Sequence, residues 1–152
     1  MSNKKKVTVT IFFIFLSSLS HAQTAARIER LLETGAVSYA DAAQFVLEAA
    51  DVLTAPTTAA AFSYASGQSW LPKGAEAGGA ARLDGLSLLI MRSFDIQGGL
   101  LYRFTKNAHY AYRELVYINV IQGINDPAMA VSGDLLLFMV NRLLSYQEVG
   151  QI

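Results

Sequence analysis

The sequence predicts a small all-α domain of about five helices, stacked as two-helix units, with one long ordered loop at residues 54–80. Three observations carry that expectation. Apolar residues recur at helical spacing in five separate segments, serines stand where helix N-caps belong, and no stretch alternates with the period of a strand.

The chain opens on an address. Lys4, Lys5 and Lys6 precede an apolar run over residues 7–19, and Ser20-His21-Ala22 follows as a small-x-small cleavage pattern. The run is shorter than the roughly 20 residues that a spanning helix needs. The expectation is therefore signal removal after Ala22, giving an exported protein, periplasmic or cell-surface associated, with no transmembrane span after cleavage. Residues 23–152 are then a single domain, long enough for one core. Without the three signal lysines, nine Lys and Arg face twelve Asp and Glu, a net charge of −3. Nucleic acid is a poor partner for such a chain, because phosphate binding needs clustered positive charge. Cysteine is absent, so disulfides and thiolate metal sites are not available.

Each element has its own signal. Ile28, Leu31 and Leu32 mark a first helix over residues 25–34, ended by Gly35. Ser38 caps a second, with Asp41 as a capping-box partner and Ala42, Phe45, Val46, Ala49, Val52 and Leu53 on one face. Residues 54–80 are rich in Ala, Thr, Ser and Gly and hold two prolines. With Phe62, Tyr64 and Trp70 embedded, they read as an ordered loop insertion. A third helix spans 81–94, with Leu83, Leu86, Leu89, Ile90 and Phe94 as its stripe and Gly98-Gly99 as its break. A fourth spans 110–121 and ends at Gly123. Ser132 caps a fifth, with Val131 and Leu136 placed as a hydrophobic staple.

The first and last helix pairs share one shape: helix, glycine, turn, Val-Ser, helix. Between them RLDGLSLLIMRSF reads as the second helix of a middle unit whose first half is lost or rewritten within 54–80. The segment AYRELVYINVIQGINDPAMAVSGDLLLFMVNRLL resembles the S-layer homology repeat of exported and cell-wall-attached bacterial proteins. Its Tyr-containing helix is residues 110–120, its glycine Gly123, its turn Asp126-Pro127, and its second helix starts at Ser132. The N-terminal segment matches over the turn and second helix, with Ser38-Tyr39-Ala40-Asp41 where the family has Thr-Arg-Ala-Glu. LLETGAVSYADAAQFVLEAAD, GLSLLIMRSFDIQGGLLY and YAYRELVYINVIQG also look like a group of uncharacterised exported spirochaete proteins. The S-layer homology resemblance implies a non-catalytic module for protein or cell-envelope polymer interaction. In that family the Arg opening the second helix contributes to binding pyruvylated cell-wall glycan. Tyr39 and Gly133 stand in that place here, and neither offers a cationic fork to a carboxylate.

No catalytic residue, metal set or cofactor motif emerges. His109 is the one histidine left after cleavage, and no Ser, Cys or paired carboxylate is spaced to work with it. Asn125-Asp126 lacks the order of a calcium loop and reads as a Pro-containing turn. Gly78-Gly79 and Gly98-Gly99 lack the strand context of a phosphate-binding loop. One cluster is suggestive: Tyr102, Phe104, Tyr110, Tyr112 and Tyr117 with cations interleaved. Aromatic faces beside cations grip sugars and anionic polymers, and the same aromatics equally pack a helix pair.

The candidate ligand- or partner-binding residues are Arg103, Lys106, His109, Tyr112 and Arg113. Phe62, Tyr64 and Trp70 form a rival, apolar attachment site in the 54–80 segment. The expected partner is an envelope protein or a cell-wall polymer. The alternative is a structural subunit of a larger periplasmic or surface assembly, such as an appendage or flagellar complex.

Overall fold

Three buried residues hold each other in a ring. In the computed structural model, which describes residues 25–123 and 126–150, the Val37 N–H donates to the Val131 carbonyl at 2.8 Å. The Val131 N–H donates to Ala81 at 2.9 Å, and the Ala81 N–H returns to Val37 at 2.8 Å. Each of the three is fully buried, so the closed circuit satisfies backbone groups that water cannot reach. Isolated antiparallel bridges, Ser38 with Ala80 and Arg82 with Ala130, flank it.

Each ring residue stands two positions before a helix. These are α2 (Tyr39–Ala49), α4 (Leu83–Ser93) and α7 (Gly133–Glu148). A partner helix precedes each: α1 over residues 25–32, α3 (Thr58–Gly67) and α6 (Ala108–Tyr117). The described residues thus form three two-helix units, with a six-residue helix, α5 (Leu100–Thr105), between the second and third. The second helix of one unit packs on the first helix of the next, α2 on α3 and α4 on α6. The third unit returns to the first, where the Gly133 N–H donates to the Thr34 carbonyl at 2.9 Å. Among the described residues no helix is long and apolar enough to cross a membrane. The expected signal segment lies outside the described residues.

The all-α reading holds, and α4 is its centre. Leu86, Leu89, Ile90 and Met91 are buried among α2 and α6, each worth about 1.5–3 kcal/mol of transfer free energy. The caps stand where the serines predict them. Ser38 Oγ accepts from the Asp41 N–H at 3.1 Å and donates to the Asp41 carboxylate at 2.5 Å. Ser132 Oγ accepts from the Leu135 N–H at 3.3 Å, and the staple residues Val131 and Leu136 are both fully buried.

Two expectations change. The segment 54–80 is not a loop: it holds α3, capped by Thr57 Oγ1, which accepts from the Ala60 N–H at 3.1 Å. The first half of the middle unit is present, and it escaped notice because the face it buries is Ala61 and Ala65 rather than a stripe of large side chains. The fourth helix begins at Ala108 and stops at Tyr117, not at residue 121. Asn119 takes the left-handed conformation there, with φ of 59°, and the Val120 N–H closes back on the Leu115 carbonyl at 2.8 Å.

The same device ends α2 at Asp51, α3 at Ser69 and α4 at Asp95, whose φ values are 53°, 57° and 50°. The next residues, Val52, Trp70 and Ile96, donate to Leu47, Ala65 and Met91, and their apolar side chains fold onto the core. Short polar side chains thus do the work expected of glycine.

Candidate functional site

The α3 terminus delivers Trp70 to the surface. As the residue after left-handed Ser69, it leaves the helix at a fixed angle, with its ring edge-on to Tyr64 at 5.8 Å. Opposite stand Arg92 from the last turn of α4 and Arg103 and Lys106 from α5. Together with Tyr102, Asp95 and Gln97 they enclose a cleft of about 390 Å³. Lys106 is also a wall of an adjoining hollow of about 730 Å³, lined by Ser66, Ser69, Pro72, Lys73 and Asn107.

The charge is lopsided. Lys73, Arg92, Arg103 and Lys106 border the two hollows, against the single carboxylate of Asp95. Ion pairs in the described residues occur elsewhere, between Arg27 and Glu48 and between Arg82 and Asp84. Arg142 is likewise occupied, donating to the Asn119 carbonyl at 2.6 Å between the rings of Phe138 and Tyr146. Of the cations bordering the two hollows, Lys73, Arg103 and Lys106 are exposed and Arg92 is half-buried.

Two details mark this wall. Lys106 is itself left-handed, with φ of 46°, and its N–H donates to the Tyr102 carbonyl at 2.7 Å. Tyr102 is buried behind the cleft, and its hydroxyl finds no partner among the described residues. Burial pushes that phenol up to about 12; nearby Arg92 opposes the rise, while Asp95 and Glu114 add to it.

The structure divides the predicted site residues. Arg103, Lys106 and Trp70, drawn from the two rival clusters, share one cleft. Tyr64 supports Trp70, and Phe62 is half-buried against the core. His109 and Arg113 are exposed on α6, His109 edge-on to Tyr110 at 5.2 Å, and Tyr112 is half-buried against the core. None of these three lines the cleft. Sequence reasoning missed Arg92 and Lys73. Arg92 had a signal, a lone cation in the apolar run of α4; Lys73 had none beyond lying in a joint.

The positions that open the three second helices carry no cation. Tyr39 is buried, its hydroxyl accepting from the Arg82 N–H at 3.3 Å, and burial raises its pKa. Leu83 is wholly in the core, and Gly133 lies against the backbone of Leu31. Packing occupies all three.

No protein-family model matches the chain, and neither a curated protein nor a solved structure matches it.

Proposed function

We propose that the chain is a non-catalytic exported envelope module with S-layer-homology-like helical units, and that its cleft holds a cell-envelope polymer bearing carboxylates or phosphates. One observation carries the reading. Arg92, Arg103 and Lys106 line one cleft with Trp70, and Lys73 borders the adjoining hollow, without ion pairing among the described residues, so cations and an aromatic edge are open to an anionic sugar. The three two-helix units support the repeat resemblance, while the loss of cations at Tyr39, Leu83 and Gly133 moves the binding chemistry to a different face.

The test is retention on cell-wall sacculi. Arg92→Gln with Arg103→Gln should release the protein, and so should salt near 1 M, where the Debye length is about 3 Å. Retention that survives both would return the choice to apolar attachment. Deleting Phe62–Trp70 does not probe that rival, because it removes the second half of α3 and its terminus.

A second reading, a structural subunit of a larger surface or periplasmic assembly, draws on the exposed Phe138 above an apolar hollow of about 330 Å³ between α2 and α7. Co-purification at fixed stoichiometry from envelope fractions would favour it.

A further inference from the structure

Helix α5 is built inside out. Of its six residues only Tyr102 turns inward, while Leu100, Leu101 and Phe104 are 69%, 57% and 85% exposed. The helix is an addition to the repeat: it lies between the second and third units, entered through Gly98 at φ of 59° and left through left-handed Lys106. Insertions between repeats commonly carry the binding face of such folds. Here the insertion projects a convex apolar tip.

Charge indicates what covers it. Residues 100–113 hold Arg103, Lys106 and Arg113, all three exposed, against the one carboxylate of Glu114, which lies by Gly99 at the start of α5. Area narrows the choice further. Three side chains on a six-residue helix are a small fraction of the roughly 1,000 Å² that a stable protein interface needs, and a convex tip offers a partner no groove. A bilayer asks for neither area nor shape complementarity. It takes apolar side chains at the headgroup boundary and cations at its phosphates.

We propose that α5 is a lipid-surface knob: Leu100, Leu101 and Phe104 enter the outer acyl region of an anionic bilayer while Arg103, Lys106 and Arg113 meet its headgroups. Arg92 and Trp70 belong to the polymer cleft and not to the knob. The two share only Arg103 and Lys106.

The experiment is co-sedimentation of the full chain with phosphatidylcholine vesicles, with and without phosphatidylglycerol. The apolar run at residues 7–19 is common to parent and variants, so each variant is compared with the parent in the same chain. Phe104→Ser should lower vesicle association at least about tenfold, as expected for losing a buried Phe. Its melting midpoint should not move, since the side chain is outside the core. Arg113→Gln should weaken association with anionic vesicles about fivefold and leave neutral ones unchanged. An indole introduced by Phe104→Trp should be quenched by brominated lipid beyond the Trp70 baseline of the parent. Equal vesicle association of parent and Phe104→Ser, or no added quenching, overturns the proposal. So does self-association that Phe104→Ser dissolves without any change in lipid binding. Loss of sacculus retention in Arg92→Gln, with vesicle association intact, would separate the cleft from the knob.

Discussion

A Cβ placed on Gly133 would lie 1.6 Å from the carbonyl oxygen of Leu31. The obstacle is backbone, so no rotamer change relieves it, and α7 can start here only because the residue has no side chain. Gly133→Ala should destabilise the fold by about 3 kcal/mol or more, at or above the usual cost of overpacking. Gly35→Ala, with nothing within 4 Å of the new carbon, is the control and should change stability far less. Equal melting midpoints for the two variants would contradict the closure of α7 onto α1.

Ser38→Ala and Ser132→Ala each remove a side-chain acceptor from a helix start, at an expected cost of about 1 kcal/mol. Thr57→Ala should do the same for α3. Urea midpoints that fall without a change in slope would report this, and an unchanged midpoint for Thr57→Ala would mean that α3 is not held by its cap.

Lys106 separates stability from binding. A left-handed backbone costs an L-residue about 1–2 kcal/mol that glycine does not suffer, partly offset by the larger entropy glycine loses on folding. Lys106→Gly should therefore hold or raise the melting midpoint, by about 0.5 kcal/mol in stability, while weakening retention on an anionic polymer. A marked drop in stability would show that the lysine side chain, not its backbone, secures α5.

Tyr102 sets an alkaline limit. Its folded pKa is raised from 10.0 to about 12, so the native state keeps a proton that the unfolded chain releases. Its contribution is fully present below pH 10 and is lost as pH rises through about 12. Tyr39, also raised by burial, acts in the same direction. Tyr102→Phe should make the alkaline loss shallower. It should also gain about 1 kcal/mol near neutrality, because it deletes a buried hydroxyl without a partner. Chemical denaturation at pH 7 and pH 11 measures both effects.

Much of the helical frame could be read from residue spacing, because caps and staples act within five residues. Ser38 with Asp41 and Val131 with Leu136 are such cases. Helix α3 could not, since Ala61 and Ala65 pack by letting backbones approach rather than by hydrophobic bulk, and the sequence pattern of bulk is absent. The helix ends at Asp51, Ser69, Asp95 and Asn119 were hidden because each carries a residue equally at home in ordinary turns. The cleft was half visible. Arg103 and Lys106 are neighbours in sequence, but their meeting with Trp70 and Arg92 depends on how the second unit packs on the third.

The ring of Val37, Ala81 and Val131 also limits how such a chain can grow. An open solenoid gains or loses repeats one at a time, since each meets only its neighbours. Here removing any unit leaves one N–H and one carbonyl of the circuit buried without a partner, and a fourth unit has no vacant bond to join. Closure of the circuit accounts for the three units among the described residues, and α5 stands outside it, between the second and third.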